Sequence, residues 1–185
     1  LRSKGVAEYL EAARRVKVEF PNCRFMLLGA VENQPDSLDH DFLRPFIEDG
    51  TVEHFGETDD VVSYFAQCSV FVLPSYREGT PRTVLEAMSM GRPIVTTDVP
   101  GCRQTVVEGR NGFLVPPRDV DALTDRMSWF ARHPDSVAQM GLESRRLCVE
   151  RFDVVKVNEQ MMRHLGMVAA GESGGIGLNR AHPAR

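Results

Sequence analysis

The chain has 185 residues, 42% of them hydrophobic and 26% charged, with a formal net charge of −4. That is enough for one globular domain, or one domain with a tail, and the apolar fraction is enough to bury a core. Mild acidity without a long basic block leaves no nucleic-acid footprint, and no run approaches the roughly 18 apolar residues of a membrane span. No signal-peptide pattern stands at the start, and a sequence opening on Leu1 rather than methionine is expected to be a fragment. Cys23, Cys68, Cys102 and Cys148 are widely spaced and form no CxxC pair. They are expected to be reduced, mostly buried thiols of a cytosolic protein rather than zinc or redox ligands.

In chain order, Val6, Leu10, Ala13 and Val16 recur at helical spacing and predict an amphipathic helix from about Lys4 to Phe20. Pro21 and Asn22 stop it, and "RFMLLG" reads as a buried strand ending at Gly29. A polar, turn-rich loop follows. "HDFLRPFIEDG" predicts a helix that Pro45 ends or bends unless it sits in the first turn. "TVEHFG" is a strand, "DDVVSYFAQC" a short helix, and "SVFVLPS" a strand so continuously apolar that it is expected to be covered on both faces. A helix beginning near Pro81 leads to the strand "RPIVTTD", a short helix near residues 102–107, and the strand "GFLVP". Asp119 then caps a helix with Val120, Leu123, Met127 and Phe130 on one face. Helices over 135–151 and 154–165 follow, and 168–185 reads as a disordered tail.

Strands alternating with helices predict an α/β, Rossmann-like doubly wound domain: a parallel sheet with helices on both faces. Such sheets bind ligands at the carboxyl ends of their strands, and Ser75 to Arg82 lies at such an end. Thr80 is expected to cap the next helix with Pro81 in its first position. The backbone amides near Arg82, Thr83 and Val84 then face outward, and with the helix dipole they suit a phosphate. Gly79 allows close backbone approach. Glu78 precedes the helix and Glu86 lies one to two turns into it, so the two carboxylates can engage different parts of one extended ligand. A carboxylate gripping vicinal hydroxyls makes hydrogen bonds roughly twice as strong as neutral ones. Arg77 and Arg82 are equally readable as phosphate ligands or surface arginines. Gly101 and Gly112 read as turn glycines. Ser75 lacks a hydrolase elbow, no phosphate-binding P-loop motif occurs, and His40, His54, His133, His164 and His182 show no metal-ligand spacing.

Glu78, seven intervening residues, Glu86, the "EAMSMGRPIV" passage, the downstream "EGRNGFLVPPRD" and the leading "SKG" form an ordered set. It resembles the donor half of family-four retaining glycosyltransferases of the GT-B fold, over Leu1 to about Leu165. The resemblance implies one nucleotide-sugar-binding domain over 1–167, lacking the first strand of its half and the whole acceptor-binding half. It implies that Glu86 holds the nucleotide ribose and Glu78 the transferred sugar. The backbone around Gly79, Thr80 and Pro81 lines sugar and diphosphate, and Lys4 contacts the diphosphate. Lys4 and Glu78 are thus the expected catalytic residues. Arg82, Thr83 and Val84 complete the donor-binding set. Two features depart from the pattern: an arginine upstream of the lysine is absent, and Gly79-Thr80-Pro81 stands where some members have Gly-Phe-Gly.

"REGTPRTVLEAM" looks most like members that use UDP-sugars to build bacterial surface polysaccharides. The implied partners are a nucleotide-sugar donor and a glycan or lipid-linked acceptor held by the missing half. The implied location is cytoplasmic, at the inner face of the membrane for the full-length protein. No cofactor or metal is expected, because lysine and helix take the cation's role. A sugar-nucleotide epimerase of similar architecture and a non-catalytic nucleotide-sugar-binding module are the alternatives.

Overall fold

The computed structural model describes residues 1–31, 37–165 and 167. A 3₁₀ turn at Arg2–Lys4 leads through Gly5 into α1, Val6–Glu19. Then follow β1 (Met26–Leu27), α2 (His40–Glu48), β2 (Glu53–His54), α3 (Val61–Gln67), β3 (Phe71–Leu73) and α4 (Arg82–Ser89). β4 (Ile94–Thr97), α5 (Pro100–Arg103), β5 (Gly112–Val115), α6 (Val120–Arg132) and α7 (Pro134–Arg151) complete the first of two compact units, Leu1–Glu150, save the last residue of α7. The second unit, from Arg151, contains α8, Val154–His164, capped by the Asp153 side chain. The expected tail over 168–185, with His182, lies outside the described residues.

α2 and α5 differ from the reading of the sequence. Pro45 is the sixth residue of α2, yet the helix continues to Glu48. A helix-interior proline costs about 3 kcal/mol, whereas burying Leu43 and Phe46 on the inner face returns about 1.5–3 kcal/mol each. The short helix expected over 102–107 instead ends at Arg103. Pro100 starts it in the first position, which proline favours. Beyond it, the fully buried Asn111 donates to the Thr105 carbonyl at 2.9 Å and accepts from the Val107 amide at 2.7 Å. Those bonds hold a turn in place of helix.

All the strand pairs are parallel, in two ladders: β1 with β2, and β3-β4-β5. Among the described residues no strand pairs with β3 on its side away from β4. This explains why β3 is only half-buried despite its apolar run, whereas all four residues of β4 are buried. Val95, Phe113 and Val115 point to one face, where Ala12, Ala13 and Val16 of α1 meet Leu123, Met127 and Phe130 of α6. Small alanines let α1 approach closely. Ile94 and Thr96 alternate to the other face, and α4 turns its buried residues Val84, Ala87 and Met88 inward. Leu10 of α1 joins a second cluster with Leu43, Phe46 and Val52, and Tyr9 packs against both. None of the four cysteines forms a disulfide; only Cys102 is buried and the other three are half-buried, less burial than expected.

Candidate functional site

Because β3, β4 and β5 are parallel, the segments following them emerge at one end of the sheet. The segment after β3 carries Ser75, Tyr76 and Glu78, and the start of the chain is laid against it. The Tyr76 amide donates to the Ser3 carbonyl at 2.9 Å. Gly5 adopts φ 71°, and a Cβ there would lie 2.1 Å from the Pro74 carbonyl oxygen, so no other residue fits without backbone movement. Between these two anchors stands Lys4. Its Nζ lies 2.5 Å from Glu78 Oε1, joining residues 74 positions apart. Ser75 Oγ donates to the same oxygen at 2.9 Å, and the Thr97 hydroxyl, buried on β4, donates to the Ser75 carbonyl. The Glu78 side chain is 12% exposed and that of Lys4 42%.

A second contact fixes Glu78 from the α5 side. A Cβ on Gly101 would stand 1.8 Å from the Gly79 carbonyl oxygen and 2.5 Å from that of Glu78. Gly101 therefore serves close approach of α5 to the Glu78–Gly79 backbone, not the turn expected of it. Gly79 itself is exposed, and a Cβ there would meet nothing within 4 Å. Beside this, Tyr76 Oη donates to Glu8 Oε1 at 2.5 Å and the Arg118 guanidinium lies 4.5 Å from the Tyr76 ring centre. Burial, then the Glu8 hydrogen bond, push the Tyr76 phenol up to about 12. It remains a neutral donor across the physiological range.

The start of α4 differs from expectation by one residue. Pro81, in extended conformation, is the cap and Arg82 the first helical residue; no side chain caps the helix, so Thr80 does not do so. The first accepting carbonyl is that of Pro81, which takes the amides of Val84 at 3.1 Å and Leu85 at 3.2 Å. Val84 thus offers no free amide, and its side chain is fully buried. The amides of Arg82 and Thr83 have no partner among the described residues. Arg82, Thr83, Glu86 and Ser89 form the exposed face of α4, so a ligand running along it from the helix start reaches Glu86. No described residue bonds the Glu86 carboxylate. Arg77 is exposed.

Lys4 and Glu78 are therefore brought together; Gly79, Thr80 and Pro81 lead from them to the helix start; Glu86 stands apart from that pair. The spacing of the sequence did not reveal Ser75, Thr97, Gly5, Gly101, Tyr76 or Glu8 as parts of this arrangement. A hydroxyl closing a buried apolar strand and a glycine directly after the loop lysine were the available signals for Ser75 and Gly5.

Residues 1–133 match the family model described as "Glycosyl transferases group 1". A Campylobacter jejuni protein named N,N'-diacetylbacillosaminyl-diphospho-undecaprenol alpha-1,3-N-acetylgalactosaminyltransferase is 33% identical over 125 residues, 68% of this chain and 31% of its own length. Among solved structures, Anabaena HepE in complex with UDP superposes with a TM-score of 0.80 at 24% identity, covering 91% of this chain and 46% of that one. The C-terminal domain of a group 1 glycosyl transferase, LpcC of Francisella tularensis, gives a TM-score of 0.72 at 20% identity, covering 83% and 82%. At these identities the structural matches show the fold, that of the GT-B glycosyltransferases, alone. The chain spans 31–44% of the length of the curated relatives it matches.

Proposed function

The chain belongs to the glycosyl transferases group 1 family, and we propose that it is the nucleotide-sugar-binding half of a retaining member. Its donor is a UDP-sugar, and its acceptor a glycan or lipid-linked sugar of surface polysaccharide, held by a second half at the inner face of the membrane. The observation that carries this reading is the convergence of Lys4 and Glu78, from distant parts of the chain, with Glu78 four residues before a helix whose first two amides have no partner among the described residues. The relative acting on a diphospho-undecaprenol acceptor and the UDP-bound neighbour support it.

In this reading the Arg82 and Thr83 amides and the Lys4 ammonium hold the leaving diphosphate as the anomeric C–O bond breaks. Fixed donors need no reorganisation at that moment, and losing one typically costs about 3–4 kcal/mol. Glu78 bonds the sugar hydroxyls and Glu86 the ribose diol. Among the described residues no helix is long and apolar enough to cross a membrane.

UDP is expected to raise the thermal unfolding temperature of the chain, and Glu86→Ala to remove most of that shift. Loss of a charged acceptor from the ribose diol costs about 1.5–3 kcal/mol. A variant that binds UDP as tightly as the parent by titration calorimetry removes the ribose assignment. Binding is also expected to survive excess EDTA, since Lys4 and the helix amides supply the positive charge. A requirement for added magnesium or manganese would move the diphosphate role away from them.

A further inference from the structure

Two residues assigned above to different parts of the donor are bonded to each other. A diphosphate that is to reach Lys4 therefore meets Glu78 already there. The backbone on both sides is pinned, by Ser3 to Tyr76 and Gly5 against Pro74 on one side and by Gly101 against Glu78 and Gly79 on the other. Lys4 can leave Glu78 only by rotating its own side chain, and at 42% exposure it has room to do so. Glu78 is more enclosed, and Ser75 Oγ keeps hold of the same carboxylate oxygen. When Lys4 swings away, the carboxylate stays in place with one hydrogen bond.

Resting on the donor-site reading, we propose that Glu78 competes with the donor diphosphate for Lys4, and thereby promotes release of the nucleoside diphosphate after transfer. Three contributions fix the sign. The diphosphate must displace a carboxylate from the ammonium. Its own negative charge repels Glu78 at short range. A half-enclosed carboxylate that has lost its cation is poorly compensated, which favours recapture of Lys4. With the sugar still attached, its hydroxyls donate to Glu78 and offset that loss. After transfer the hydroxyls leave with the acceptor, and Glu78 regains Lys4 as the nucleoside diphosphate departs. Glu78 thus supports the intact donor and opposes the spent one.

The test is titration calorimetry of UDP and of inorganic pyrophosphate against the 185-residue chain and the variants Glu78→Gln, Glu78→Ala, Lys4→Met and Lys4→Met/Glu78→Gln. Thermal unfolding confirms that each variant folds, and the two Glu78 variants guard against failure of either. Glu78→Gln is expected to tighten both ligands by about two- to fivefold, the range for a partly exposed ion pair released from competition. Glu78→Ala is expected to shift affinity in the same direction. Lys4→Met is expected to weaken both ligands, and adding Glu78→Gln to it to give only the small gain that direct repulsion supplies. If Glu78→Gln binds UDP no tighter than the parent while Lys4→Met binds it more weakly, the competition is refuted and the donor site stands. A gain that is undiminished in the Lys4→Met background also refutes it, because simple repulsion would then suffice. Should Lys4→Met match the parent, or should parent and Glu78→Gln bind neither ligand, the donor-site reading falls and takes this inference with it.

Discussion

Purified residues 1–185 are expected to bind a nucleoside diphosphate but to transfer no sugar. In a two-half enzyme of the proposed kind the reaction takes place in the cleft between halves, where the acceptor hydroxyl is oriented and water excluded. Orientation of that sort lowers a barrier by roughly 7–11 kcal/mol, or about five to eight powers of ten in rate. Lys4, Glu78, Glu86 and the two free amides of α4 all lie on this chain, so donor contacts should persist in it. The acceptor wall has no counterpart among them. Incubation with a radiolabelled UDP-sugar and lipid-linked acceptors, followed by product separation, measures the outcome. Steady glycoside formation by the chain alone would mean that it holds a complete active site.

Gly101→Ala should destabilise the domain and disturb the donor site together, while Gly79→Ala should leave folding unchanged. The added carbon would stand 1.8 Å from the Gly79 carbonyl oxygen, a backbone atom that cannot turn aside as a flexible side chain would. Overpacking of this kind typically costs about 1–3 kcal/mol, and a backbone clash belongs at or above the top of that range. For a chain of this size that corresponds to a fall of roughly 6–12 °C in the unfolding temperature, or more. The relief available is movement of the Glu78–Gly79 segment, which would also draw Glu78 from Lys4 and change pyrophosphate affinity. At Gly79 a Cβ meets open space, so this second glycine separates the effect of lost flexibility from that of the clash. Equal unfolding temperatures for parent and Gly101→Ala would show that α5 does not press on the segment.

The alternation of strands and helices was legible because apolar runs of four to six residues bounded by Gly, Pro and Asn have few other readings. Asp119 as a helix cap was legible too, and its side chain accepts from Ala122 N at 2.9 Å. Local patterns fared worse wherever a distant partner decides the outcome. Pro45 reads as a breaker until the burial of Leu43 and Phe46 is weighed against it. Thr80-Pro81 reads as cap and first residue, yet the Pro81 carbonyl receives the first amides and shifts the helix by one.

The proposed donor site shows the same limit. Glu78 was readable from its place between strand and helix and Lys4 only from a family resemblance, but their bond joins positions 74 apart. No spacing rule operates over that distance. Ser75 and Thr97 each look like an ordinary strand hydroxyl, and only the parallel register, which sets Leu73 beside Thr96, brings the ends of β3 and β4 together. Gly101 looks like a turn residue because a sequence displays the φ-freedom of glycine and hides what lies against it.

The division of the sheet into two ladders has a consequence for the order in which the domain comes apart. β1 and β2 are two residues each, joined by a short ladder, and no backbone bonds tie them to β3. Much of their coupling to the larger ladder runs through α1, which sends Leu10 into one cluster and Ala12, Ala13 and Val16 into the other. Tyr9 adds a polar tie, its hydroxyl donating to the Met26 carbonyl at 3.1 Å. A unit so attached can melt while the rest stays folded, because sub-global opening follows the boundaries where few contacts cross. Amide hydrogens of β1 and β2 would then exchange with solvent at a lower free energy of opening than those of β4. The helix that bridges the seam sets how far the two parts behave as one cooperative body.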